Sequence, residues 1–223
     1  MKKSAILSKT LAVLLCLLMV VSILPIATFA AKVPMPTGMT KISDEEQTLA
    51  PGITQNEVAF YDQNNRKQRM FLVTADLSVD TVSVETSYYN DQGSVWGLQR
   101  LTDQVAAAEA NHAGENYKVV AGINAAFFNT STGQPGGAFA INGEVHCSDA
   151  EGNRYPFFAI LKDGTAVIDQ KNTWTTYKDR VAEAVQGYQL IVWNGENQLT
   201  YDPGSTDQTQ KVYPRTCLGI TAD

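Results

Sequence analysis

Three dipeptides, Asn142-Gly143, Asp163-Gly164 and Asn194-Gly195, each sit between short apolar runs. A two-residue type I′ turn needs positive φ at both central positions, which Asn or Asp followed by Gly tolerates best. The stretches FAINGEVHC, FFAILKDGTAVI and YQLIVWNGENQL are therefore expected to be β-hairpins. That commits the second half of the chain to antiparallel pairing between neighbouring segments.

Upstream, VAFYD, MFLVTADL and TVSVETSYY are short β-prone runs with partial alternation, separated by polar turns. Leu98, Leu101, Val105 and Ala108 then recur at helical spacing through GLQRLTDQVAAAEAN, predicting one amphipathic helix of about three to four turns. YKVVAGINAAFF follows as a candidate buried strand, and STGQPGG as a Gly-rich loop. At the C-terminus PRTCLGITAD alternates like a strand, with no closing turn or helix. Such a strand would leave unpaired backbone groups at an edge, so the domain is expected to be cut short there. The expected fold class is α+β: strand-rich mixed sheets with several β-hairpins and an early amphipathic helix, incomplete at the C-terminus.

Lys2 and Lys3 precede an uncharged run whose centre is LAVLLCLLMVVSIL, which Pro25 breaks before the small residues of ATFA-AK. This pattern reads as a cleavable signal peptide over residues 1–30. An uncleaved anchor is the alternative, since the uncharged run is long enough to span a bilayer. The mature chain is expected to be secreted or extracytoplasmic and free of membrane. Residues 31–56 read as a linker or lead-in and residues 57–223 as the domain. A formal charge of −6 argues against a nucleic-acid partner, which would need a basic stripe. Hydrophobic residues at 44% against 18% charged allow a packed core. Cys147 and Cys217 can form at most one bridge, or serve as small core thiols. With only His112 and His146 as imidazoles, a His-rich zinc site is nearly excluded. No cofactor is expected, and a divalent metal is left open.

The chain holds no G-x-S-x-G elbow, HExxH, P-loop or GxGxxG opening a helix. Gly133-Gln134-Pro135-Gly136-Gly137 reads first as a tight turn needing positive φ, ahead of a phosphate cradle. Asn124, within an apolar stretch, needs hydrogen-bond partners, and a structural amide pinning the next loop is the simplest role. Phe127 and Phe128 are most simply core residues. Arg215 enters an apolar strand; it suits bidentate grip of a phosphate or carboxylate, or a surface ion pair.

VVAGINAAFFNTSTGQPGGAFAINGEV, RYPFFAILKDGTAVI, EAVQG, LIVWNGE and YPRTCLGI, in that order, resemble the phosphodiester glycosidase domain family. The likeness is good over residues 117–223 and loose over 57–116. Gly122, Asn124, Phe127, Phe128 and Asn129 match a G-x-N-x-x-F-F-N core. Gly136 or Gly137 matches the loop glycine, and Arg215, Thr216 and Gly219 match P-R-T-x-x-G. Three departures stand out: Ala125 and Ala126 replace residues that are often Gly or acidic, Q-G-Y-Q-L lacks a usual G-G-P, and no D-G-G-G-S motif follows. The resemblance implies hydrolysis of a sugar-1-phosphodiester at its anomeric carbon, with N-acetylglucosamine among the sugars that members act on. The implied partner is a phosphorylated glycan or a sugar-1-phosphodiester substrate. Arg215 and Asn124 are the implied catalytic residues; Gly122, Phe128, Asn129, Gly136 and Gly137 are the implied substrate-binding residues. Glu144, Asp149, Glu151, Asp163, Asp179 and Glu183 are available as acid or base, and none is singled out. The alternative is a non-catalytic extracellular module that binds glycan or envelope polymer on the same scaffold.

Overall fold

The computed structural model describes residues 33–91, 95–199 and 213–221. The expected leader, residues 1–30, lies outside the described residues. Contacts divide the chain into two units: one joins the residues up to Glu45 with Asn56–Phe71, the other joins Glu46–Gln55 with the residues from Leu72 on.

β1 (Thr40–Ala50), β2 (Ile53–Tyr61) and β3 (Lys67–Ala75) form a three-stranded sheet in that order. Residues 31–56, read from sequence as a linker or lead-in, thus carry β1 and the start of β2. β1 has few apolar residues to announce it, and ladder pairing with β2, which carries buried Ile53 and Val58, supplies what side-chain patterning lacks. In the first unit Asp44 accepts from Lys41 Nζ at 2.6 Å, Val33 N at 3.0 Å and Asn56 Nδ2 at 3.2 Å. The Lys41 bond does most to hold its carboxyl below the usual range.

TVSVETSYY does not form a strand: a short 3-10 turn, Tyr89–Asp91, follows an irregular run. Instead of a ladder partner, the Thr86 N–H finds the side chain of Glu183 at 2.9 Å. The expected helix is present as α1 (Leu101–Asn111), with Ala108 buried.

The larger sheet has the order β5-β4-β8-β6-β7. Its strands are β4 (Phe139–Ile141), β5 (Glu144–Val145), β6 (Phe157–Leu161), β7 (Ala166–Asp169) and β8 (Val181–Gln186), all paired antiparallel. Two short helices, α2 (Asp149–Gly152) and α3 (Trp174–Tyr177), accompany it. One face buries Ala138, Ala140, Phe157, Ala159, Leu161, Trp174, Val181 and Ala184. The alanines of β4, β6 and β8 lie in register, Ala140 opposite Ala184 and Ala184 opposite Ala159, and leave room for the indole of Trp174. That ring meets Phe157 edge-on at 5.2 Å. A second cluster joins Tyr88, Phe139 and Ile141 with Trp96, and burial pushes the Tyr88 phenol up to about 12.

All three expected hairpins form, the third between β9 (Val192–Trp193) and β10 (Glu196–Asn197). Asn142 and Gly143 have φ of 50° and 81°, and Asn194 and Gly195 have 50° and 79°, as a type I′ turn requires. The Asp163-Gly164 turn differs: only Gly164 is left-handed, and Leu161 N donates to Thr165 O at 2.9 Å around a longer loop.

Two expected strands are absent. Residues 117–126 and 213–221 carry no strand, and Phe128 joins only an isolated bridge to Pro135. Apolar composition alone suggested burial, but no ladder partner is present among the described residues, and Ile123 is exposed. Cys147 and Cys217 are free thiols. Cys147 packs beside the core, where burial raises its pKa, whereas Cys217 is exposed rather than in a strand. Among the described residues no helix is long and apolar enough to cross a membrane.

Candidate active site

Asn124 is exposed, not set in a buried strand, and it does have a partner. Its Oδ1 accepts from the Thr216 hydroxyl at 2.9 Å. A contact between residues 92 positions apart joins the two most distinctive motifs of the sequence, G-I-N-A-A-F-F-N and P-R-T-C-L-G-I. Arg215 precedes Thr216, with its guanidinium carbon 5.3 Å from the centre of the Tyr213 ring. Accepting that hydrogen bond at Oδ1 fixes the orientation of the Asn124 amide and leaves its NH2 end as the donor for a ligand.

The loop after Asn124 is built by its own backbone. Asn129 Oδ1 accepts from Ser131 N at 2.9 Å and Thr132 N at 3.3 Å, and Asn129 N donates to Gln134 O at 2.8 Å. Asn129 thus shapes the turn, a local role that Asn fills well. Gly133 has φ of 80° and touches the backbone of Gly97 so closely that a Cβ would strike the Gly97 carbonyl. Gly136 N donates to Phe127 O at 2.9 Å, closing the loop. Gly137, at φ of 128°, lies against Gln186, whose Oε1 occupies the space a Cβ would need. A Cβ added at Gly122 would meet the Leu101 methyl groups of α1 only at ordinary contact distance. Phe127 and Phe128 are 56% and 51% exposed, so neither is the core residue that composition implied.

The structure therefore joins Asn124 to Thr216, the residue that follows Arg215 in the chain. It places Asn129, Gly136 and Gly137 in the adjoining loop, with Phe128 pairing to Pro135 across it. Gln186, at the end of β8, was not visible from sequence. It is 2% exposed, and its Nε2 donates to Phe127 O at 3.3 Å, anchoring the loop to the sheet. Its signal was present in EAVQG, where a polar residue ends an apolar strand, but only the partner explains it.

Glu183 is one of the six acids that sequence left undistinguished, and it is buried, at 7% exposed. Its two oxygens accept from Thr86 N at 2.9 Å and Asn142 N at 2.8 Å. Burial is the leading influence and raises its pKa; the two amide bonds pull the other way. A group with a raised folded-state pKa contributes stability that is fully present below its unfolded pKa and is lost as pH rises through the folded value. Wild type should therefore lose stability relative to Glu183→Gln as pH is raised from about 4 toward neutrality. Urea midpoints of both proteins across that range check this; a pH-independent difference would contradict it. The carboxylates with lowered pKa, such as Asp62 and Asp76, act in the opposite sense but are common to both proteins.

Among the described residues no group of three or more His, Cys, Asp or Glu is arranged to hold a metal ion. The joined motifs fall within one stretch that has known relatives. Residues 117–223 match the phosphodiester glycosidase family. A search of curated proteins found no match. The phosphodiester glycosidase match begins at Tyr117 and takes in Asn124, the Gly133–Gly137 loop, all of the larger sheet and Arg215. Phosphodiester glycosidases are hydrolases, so what this stretch resembles at the coarse level is a hydrolase domain.

Proposed function

We propose that this protein is an exported glycosidase that cleaves sugar-1-phosphodiesters, including N-acetylglucosamine 1-phosphodiesters, in glycans or envelope polymers. The observation that carries the reading is the Asn124–Thr216 hydrogen bond, which ties the motif holding Asn124 to the motif holding Arg215. Export rests on the basic, apolar and small-residue pattern of the first thirty residues.

The chemistry suits these residues. Water adds to the anomeric carbon, the bond from that carbon to the phosphate oxygen breaks, and the phosphomonoester departs with the electron pair. Most glycosidases must protonate a poor alkoxide leaving group. A phosphomonoester is a far better one, since its second pKa is about 6. The main demand is then stabilisation of charge gathering on phosphate, which a planar guanidinium meets with two parallel donors. Arg215 fills that role, and the Asn124 NH2 orients a sugar hydroxyl or the attacking water.

The test is release of reducing sugar from UDP-N-acetylglucosamine by the wild-type protein and by Arg215→Ala. Release that depends on Arg215 supports the reading. Equal inertness of both proteins across a panel of sugar-1-phosphodiesters would leave the non-catalytic glycan-binding alternative, which the Ala125-Ala126 departure favours.

A further inference from the structure

Three aromatic side chains, exposed Phe127 and Tyr188 with half-buried Tyr155, converge at the surface of the second unit. The Phe127 and Tyr188 rings meet edge-on with centroids 5.4 Å apart, and Tyr155 lies 6.1 Å from each. Phe127 is 56% and Tyr188 45% exposed. Leaving such rings in water forgoes the stabilisation that burying them would give, so a grouped, exposed set signals a binding surface more than a lone ring would.

The set is also held in place. Phe127 O accepts from Gly136 N and from the buried Gln186 amide. Gly187 N, beside Tyr188, donates to Pro156 O, beside Tyr155, at 2.7 Å. The residue pair Gln186-Gly187 thus fixes the backbone at all three rings, and little ordering would remain for a ligand to impose. The Arg154 guanidinium lies 5.3 Å from the Tyr155 ring centre and adds a cation at the margin.

We propose that Phe127, Tyr155 and Tyr188 form a stacking platform for a pyranose ring of the substrate, with Arg154 beside it facing anionic phosphate. The proposal rests on the sugar-phosphodiester reading above and names a subsite for it. A pyranose presents a face of C–H bonds carrying slight positive charge, which the electron-rich face of an aromatic ring attracts. The tyrosine hydroxyls add donors at the ring edges for sugar hydroxyls. Asn124 lies three residues before Phe127, so platform and amide are separated by no more than roughly 10 Å of chain. Among possible occupants, a sugar carrying phosphate fits the combination of rings, hydroxyls and an adjoining cation better than an apolar protein face, which would leave the arginine unmatched.

The test titrates methyl N-acetyl-α-glucosaminide, a neutral probe, and inorganic phosphate into wild type, Tyr188→Ala, Tyr155→Ala and Tyr188→Trp. Both alanine variants should weaken glycoside binding about fivefold or more while phosphate binding is unchanged, and Tyr188→Trp should restore it. Circular dichroism and sedimentation of each variant accompany the titrations. Glycoside affinity equal to wild type in both alanine variants would overturn the platform. So would absence of glycoside binding by wild type, or a wild-type dimer that Tyr188→Ala dissociates, which would give the rings to a second copy of the chain. Ring-dependent glycoside binding without sugar release from UDP-N-acetylglucosamine would uphold the platform while removing the hydrolytic reading.

Discussion

Gly137→Ala is expected to destabilise the second unit by about 2–4 kcal/mol, measured as a shift in urea unfolding. Two costs combine. A φ of 128° lies well beyond the left-handed well that L-residues visit, so alanine would be strained there even in open space. The space is not open: its Cβ would fall on the side-chain amide of Gln186. That amide is buried and bonded to the Phe127 carbonyl, so it cannot move aside without giving up the bond that ties the loop to β8. Gly136 provides the contrast within the same dipeptide. Its φ is not left-handed, and a Cβ there would meet only the Phe127 carbonyl, at 3.8 Å. Gly136→Ala should therefore change stability by less than about 1 kcal/mol. Equal effects of the two substitutions would contradict the packing described for Gln186.

Arg215→Ala is expected to lower kcat/KM on a sugar-1-phosphodiester by about 10²–10³, with the larger share in kcat. The effect belongs in kcat because charge on the phosphate grows as the anomeric bond breaks, and a fixed cation is worth most at that point. Arg215→Lys should recover only part of the loss: it keeps the charge but cannot supply two coplanar donors. Both variants should fold as wild type does, since residue 215 is exposed. A loss confined to KM would mean that Arg215 binds substrate and transition state alike.

What the sequence disclosed depended on how local the governing physics was. The Asn-Gly turns and helix α1 were legible because turn chemistry and helical spacing act within a few residues, and the structure contains both. The Asp163-Gly164 turn showed the limit even there, because the same dipeptide closes a longer loop when only its glycine is left-handed. Strand partners are remote, so β1 was hidden in a polar segment, while the apolar run 117–128 promised a buried strand that does not form. In the site, motif order marked Asn124, Arg215 and the loop glycines, but nothing in their spacing could reveal the hydroxyl of Thr216 on Asn124. Gln186 and Glu183 were hidden for a related reason. Both are polar side chains of an apolar strand, whose partners are backbone groups of other segments.

The central claim concerns which bond breaks: the anomeric carbon to oxygen bond of a sugar-1-phosphodiester rather than a phosphorus–oxygen bond. Turnover of UDP-N-acetylglucosamine in ¹⁸O-enriched water distinguishes the two directly. The account predicts that the label enters the anomeric hydroxyl of the released N-acetylglucosamine, read by mass spectrometry under conditions that limit exchange of that hydroxyl. The UDP released should carry none. Label in the UDP with unlabelled N-acetylglucosamine, or release of UMP with N-acetylglucosamine 1-phosphate, would contradict it.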